Sequence, residues 1–224
     1  MISFNDIAKG SDALIKIHSI ATNKRVEFPA FLTNFSDSYS VGWSSEQVYG
    51  RMDPIKTYSG TTRTIAIAFD VLSPSIEDAR RNMSNYSKFI QMLYPVYSSP
   101  LSGRLGKGRT LAAPPLLRIQ FMNLIQNNSQ NSPEKGLLGC INGLTFDPNR
   151  EMGFFVDEQE LLAKHFNVSF NFEPQHENEL GFEDQNFITR PFPYGRRQAL
   201  AETATTTTNP DVISARQSSI TGED

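Results

Sequence analysis

The string with the most obvious chemical potential is Gly103-Arg104-Leu105-Gly106-Lys107-Gly108-Arg109. Glycines let backbone N–H groups approach a phosphate, and the cations would complement its charge. The string nevertheless departs from a nucleotide-binding loop. No Ser or Thr follows Lys107, and no helical pattern begins there. It reads as a flexible basic surface loop, and Arg104, Lys107, Arg109 and Arg118 form a run with no acid among them. Its counterpart is acidic: Asp157, Glu158, Glu160, Glu173, Glu177, Glu179, Glu183 and Asp184, opposed within that stretch only by Lys164. Two opposed patches on one chain suit head-to-tail contacts between copies. The plain alternative is a solvated face.

The remaining reactive side chains form no constellation. His18, His165 and His176 are dispersed, and none has metal-ligand spacing with another His or Cys. Cys140 is the single cysteine and lies in an apolar stretch, as a buried thiol would. One cysteine excludes an internal disulfide framework and a cysteine-rich zinc site. No Ser sits in a G-x-S-x-G elbow, and Glu158 and Glu160 fall in an acidic loop rather than on an apolar pocket wall. No catalytic, cofactor-binding or metal-binding residue is assigned, no cofactor is expected, and the expectation is that the protein is not an enzyme.

The elements that carry these residues read as strands around one helix. Residues 13–20 and 26–35 are short apolar stretches separated by a polar turn at Thr22, Asn23 and Lys24, and 38–43 adds Tyr39 and Trp43. In 63–71, Ile65, Ile67, Phe69 and Val71 alternate with Thr64, Ala66, Ala68 and Asp70, the period of a half-buried strand. A helix is predicted over 74–93, with Ser73 as cap, Pro74 at the first position, and Glu77 and Asp78 facing the positive end of the dipole. Its apolar stripe would be Ile76, Ala79, Met83, Tyr86, Ile90 and Leu93. Residues 98–113 read as a loop. Strands are expected at 116–125, 136–146, 152–156 and 166–172, with Gly139 and Gly143 at close approaches or bulges. In the last of these, Phe166, Val168, Phe170 and Phe172 alternate with Asn167, Ser169 and Asn171.

Strands, one long helix, then more strands predict an α+β domain: mainly an antiparallel β-sandwich or barrel with one flanking helix. A single domain is placed at 1–190. Residues 191–224, Ala/Thr-rich and polar from about Gln198, are read as an extended or disordered tail. The 224 residues include 16 Phe and 7 Tyr, enough for a real core. With 21 basic against 24 acidic residues, net −3, the composition argues against a polycation that coats nucleic acid. No apolar run approaches the roughly 18 residues that span a membrane, and the first residues lack the pattern of a signal peptide. A β-rich protein without membrane contact is expected.

One ordered set of segments is more specific. Tyr49-Gly50-Arg51-Met52-Asp53-Pro54 is followed by Tyr58 and then Thr62-Arg63. The helix closes on Leu93-Tyr94-Pro95-Val96-Tyr97. Next come Pro114-Pro115-Leu116-Leu117-Arg118-Ile119 and Gly136-Leu137-Leu138-Gly139-Cys140-Ile141-Asn142-Gly143-Leu144. Val168-Ser169-Phe170, His176-Glu177 and Leu180-Gly181 end the body. Over about residues 40–182 this order resembles baseplate and tail-tube-type proteins of tailed phages, and more distantly the tube proteins of contractile injection systems. The chain has Asn123-Leu124 where those tube proteins carry Trp-Gly, and its polar tail stands where some relatives carry a LysM-like module.

The resemblance implies a β-barrel or sandwich with a flanking helix, arranged as a ring, in that family usually a hexamer, around a channel. It implies a structural role in virion assembly and tail attachment, as a tube initiator or hub-connecting ring. The partners would be further copies and other tube or hub subunits. DNA would enter only as cargo passing through the lumen. The protein would reside in the virion after synthesis in the host bacterial cytoplasm. Phe31, Phe35, Tyr39 and Trp43 lie where an arm could reach a neighbour, with the core as their plain alternative. A reading of another class is a monomeric glycan- or small-molecule-binding β module that stacks its ligand on Trp43, Tyr39 and Tyr58. An enzyme with an unrecognised site is a third, since β-rich folds host many activities.

Overall fold

The computed structural model describes residues 14–29, 31–98, 110–127, 136–157, 159–183, 186–188 and 192–194. The glycine–arginine string at 103–109, Glu158, Asp184 and almost all of the tail assigned to 191–224 lie outside them.

The chain runs through β1 (Leu14–Ser19), β2 (Arg25–Pro29), β3 (Phe31–Glu46) and β4 (Ile55–Leu72) before its helix, α1 (Ile76–Met92). Then follow β5 (Val96–Tyr97), β6 (Leu111–Ala113), β7 (Leu117–Gln120) and β8 (Leu137–Pro148). Last come β9 (Phe154–Asp157), β10 (Glu160–Ala163), β11 (His165–Pro174), β12 (Phe182–Glu183) and β13 (Asn186–Phe187). Seven strands form one sheet in the order β2-β1-β7-β8-β11-β4-β3, and every pairing in it is antiparallel. The sheet curls. Phe28 of β2, at one end of the order, meets Phe69 of β4, near the other end, with ring centroids 5.9 Å apart. The architecture is the expected one, mainly antiparallel β with a single helix among the described residues.

The core lies inside the curl and under α1. Ile65, Ile67, Phe69 and Val71 of β4 are buried, as are Phe166, Val168, Phe170 and Phe172 of β11. The two alternating segments lie side by side, Phe172 opposite Ile65 and His165 opposite Leu72. Phe28, Phe69, Phe89, Phe166 and Phe172 are among the largest fully buried side chains, and each contributes about 2–3 kcal/mol by leaving water. Gly139 lets β8 pass β11 closely. A Cβ there would stand 2.3 Å from the Glu173 carbonyl oxygen and 2.7 Å from the Phe172 ring. Gly143, at φ +66°, sits where the β8–β11 register shifts.

The helix differs from its predicted form in cap and phase. Ser75, not Ser73, is the N-cap, its hydroxyl accepting from the Asp78 N–H at 3.1 Å. The buried face is Asp78, Ala79, Asn82, Tyr86, Phe89 and Met92, while Met83, Ile90 and Leu93 are only partly covered. Two polar residues take core-side positions because they are satisfied there. The Ser75 hydroxyl bonds Asp78, and Asn82 donates to the Ser73 hydroxyl at 3.0 Å. Ser73 thus fixes the helix from the side rather than capping it.

Two other boundaries change. Met122, at φ +45°, turns the chain after β7, so that Phe121 bridges back to Ile125 and the strand expected over 116–125 is cut short. Within the expected loop at 98–113, Leu111–Ala113 pairs with Val96–Tyr97. The strand expected at 152–156 lies at Phe154–Asp157.

Candidate assembly interface

β3 and β4 are the longest strands of the sheet, and only part of each belongs to the body. Their register runs from Phe31 opposite Asp70 to Glu46 opposite Ile55. β11 pairs with β4 no further than Ile65. Beyond that point residues 38–46 and 55–64 pair only with each other among the described residues. They form a two-stranded ribbon that extends about 30 Å past the body, at about 3.4 Å per residue.

The faces of this arm follow from the period of two. Phe35, Asp37, Tyr39, Val41 and Trp43 alternate with Ser36, Ser38, Ser40, Gly42 and Ser44. The cross-strand pairs Asp37–Ile65, Tyr39–Arg63 and Val41–Thr61 place the first set on the face of β4 that carries the core. The core stripe therefore continues along the arm after the body has ended. Its outer part is uncovered: Tyr39 and Val41 are exposed, and Trp43 and Tyr58, paired edge to face at 5.5 Å, are 56% and 54% exposed. At the tip, Tyr49 and Met52 are almost wholly exposed. The opposite face is Ser/Thr-rich, with Thr57, Thr62 and Thr64 opposite Ser44, Ser40 and Ser38.

The root of the arm is charged and closed. Arg63 holds Asp37 through Nη2–Oδ2 at 2.6 Å and Nε–Oδ1 at 2.9 Å, with both side chains only 3–4% exposed. Tyr39 donates to the same carboxylate at 3.1 Å, and Tyr194 donates to it as well. The guanidinium lies 5.4 Å from the ring centres of both Tyr39 and Phe192. Phe192 also meets Tyr39 and His176 edge to face, at 6.5 and 5.5 Å. Burial pushes the Asp37 carboxyl up, but hydrogen bonds from Arg63 and Tyr194 outweigh it and hold the group below its ordinary range. Burial also pulls Arg63 down, and its bond to Asp37 more than restores it. The Tyr39 hydroxyl is pushed up to about 12, first by burial, with Asp37 adding to the rise and Arg63 opposing it. His176 is lowered, by burial and then by the Arg63 charge. A charge pair in the sheet where the body stops being apolar marks the boundary between core and arm.

Among the described residues, one cation of the basic run and several of the acids find partners inside the chain. Arg118 forms a two-bond pair with Glu177, both contacts at 2.6 Å. Arg80 on α1 reaches Asp157 at 2.8 Å and Glu160 at 3.0 Å, and Glu173 accepts from Asn142 at 2.6 Å. These acids thus have partners other than Lys164. Arg104, Lys107 and Arg109 lie outside the described residues. His18 contacts Asn23 at 2.8 Å, and His165 faces Asp70 at 3.4 Å. Among the described residues no three His, Cys, Asp or Glu side chains are grouped so as to hold a metal ion. Among the described residues no helix is long and apolar enough to cross a membrane. Two surface concavities, of about 40 Å³ beside Lys16, His18 and Arg25 and about 10 Å³ beside His176 and Leu180, have room for water at most.

No family model matches the chain, and no curated protein does. Among solved structures, the Dit protein of phage SPP1 is similar over 72% of this chain, at 13% identity and a TM-score of 0.36. That protein is described as a paradigm of the hub adsorption apparatus in phages that infect Gram-positive hosts. The chain spans 49% of its length. The likeness is too distant to decide fold or function.

Sequence reasoning placed Phe31, Phe35, Tyr39 and Trp43 between arm and core. Phe31, Tyr39 and Trp43 are exposed, and Phe35 packs against the core at the junction. It missed the second strand of the arm, the buried charge pair, and the part of Phe192 and Tyr194. The regular Ser spacing at 36, 38, 40 and 44 is the signal that reveals the arm's two faces.

Proposed function

We propose that this protein is a structural subunit of a tailed-phage virion, a tail-tube or baseplate ring component that carries out no reaction, and that the β3–β4 arm joins neighbouring copies. One observation carries the reading: the apolar stripe of the core runs out along a ribbon that no layer among the described residues covers. An isolated two-stranded ribbon is marginally stable in water, and free strand edges invite pairing with another chain. A neighbour that covers the stripe and pairs with an edge resolves both. Where each arm docks on the body of the next copy the contact is head-to-tail, and such contacts close into rings when the rotation divides the circle, whereas two copies that exchange arms form a closed dimer. The resemblance of residues 40–182 to tail-tube and baseplate proteins supplies the setting: a ring around a lumen, stacked on tube or hub subunits, with DNA only as cargo.

Absolute mass by light scattering, with negative-stain images of the same fraction, tests this. A ring with a visible hole, usually a hexamer in that family, is expected, and Trp43→Ser combined with Tyr58→Ser should return the chain to monomer. A monomer at every concentration, together with saturable glycan binding lost in the same double variant, would favour the second reading. That reading rests on the exposed Trp43–Tyr58 pair, which offers a stacking surface.

A further inference from the structure

Among the described residues the arm meets the body in two ways. One is the covalent continuation of β3 and β4 into the sheet. The other is the short segment at 192–194, which belongs to no strand or helix. From it the Tyr194 hydroxyl bonds Asp37, and the Phe192 ring covers the Arg63 guanidinium and touches Tyr39. Its other contacts reach the body on either side. Asn123, in the turn after β7, donates to the Tyr194 carbonyl oxygen at 3.4 Å, and His176, beyond the end of β11, meets Phe192. One small segment therefore touches the arm root, the β7 turn and the β11 exit at once.

A two-stranded ribbon that leaves a sheet is free to twist and swing about its root, because its ladder fixes the two strands relative to each other and not relative to the body. Side-chain contacts from outside the ribbon are what can fix its direction. We propose that residues 192–194 act as a strap that clamps the arm root and sets the direction in which the arm projects, so that the arm is presented to a partner already oriented. An arm held in its bound direction loses less conformational freedom on docking than a swinging one. The presentation of the arm to a partner rests on the arm being the assembly surface; the clamp itself does not.

Time-resolved fluorescence anisotropy of Trp43 in the full chain, dilute enough to be monomeric, reads the swing of the arm. Phe192→Ala should add a fast segmental decay and lower the residual anisotropy by about twofold or more. Tyr194→Phe removes one hydrogen bond and keeps the ring, so it should produce a smaller fall. An unchanged decay in both variants overturns the strap. A rise in amide exchange across 65–72 and 166–172 in the same variants overturns it too, because the segment would then serve general stability. Light scattering on the same variants at assembly concentration separates the two proposals. Loosened arms with undiminished assembly would leave the clamp standing and refute the arm as the joining surface. An unchanged decay in both variants, in a chain that assembles through Trp43, would do the reverse.

Discussion

The two halves of the β3–β4 hairpin share strands, register and alternation, yet they meet opposite fates. From Ile65 to Leu72 the core-side residues of β4 are buried between β11, α1 and the rest of the curl. From Ile55 to Thr62 the same side carries Tyr58, and across from it Val41 and Trp43, all open to solvent. Alternation is a local property of the strand. Burial is decided by whether another layer reaches that far, and here the last layer stops at Phe172, opposite Ile65. Arg63 and Asp37 stand at that limit. A pattern that specifies a core in one half specifies a contact surface in the other.

Substitutions matched across the boundary should separate these roles. The largest effect is expected in the buried half. Phe69→Ala, at a fully buried position, should cost about 3–5 kcal/mol of unfolding free energy, read from urea denaturation of the dilute chain. An equal loss from an arm residue would break the contrast.

At the boundary, Arg63→Met should cost about 3 kcal/mol, because it leaves the Asp37 carboxylate buried without its cation. The same urea series measures it, and a neutral outcome would mean that the pair is not a closed junction. The pH dependence sharpens this point. Asp37 has a lower pKa in the folded chain than in the unfolded one, so its stabilisation is complete above about pH 4, the ordinary carboxylate range. It is lost as pH falls through the depressed folded value. The stability advantage of the natural chain over Asp37→Asn should therefore be constant near neutrality and shrink in acid. An advantage that persists unchanged to pH 2 would remove the carboxylate from the account.

The smallest effect on the monomer is expected in the arm. Trp43→Ser should change unfolding free energy by no more than about 0.5 kcal/mol, although it should strongly weaken self-association measured by light scattering. A large loss of monomer stability would place Trp43 in the core instead.

Where the sequence was legible, the reason is the same alternation. The segments Ile65 to Val71 and Phe166 to Phe172 each keep large apolar residues at every second position, and both lie in the core as expected. The helix was legible in place but not in phase. Asp78 and Asn82 take inward positions through hydrogen bonds to Ser75 and Ser73 that a count of apolar residues does not register. The outer strand of the arm was hidden because Lys56, Thr57, Ser59, Gly60 and Thr61 are polar or small on both faces. The pairing of Arg118 with Glu177 was hidden for another reason: they meet 59 positions apart in the chain, and charge runs were read along the chain rather than across the sheet. Phe192 and Tyr194 sit beside a polar tail whose composition masked their part in the arm root.

The central claim is that the exposed stripe of the arm becomes covered when the protein does its work. Trp43 is the only tryptophan of the chain and stands in the middle of that stripe, so its fluorescence reports on the arm alone. Emission and acrylamide quenching should be followed against concentration, with mass measured on the same samples. The account predicts a blue shift and a loss of quenching that rise in step with the assembled fraction. An assembled fraction in which Trp43 stays as quenchable as in the dilute chain would contradict it.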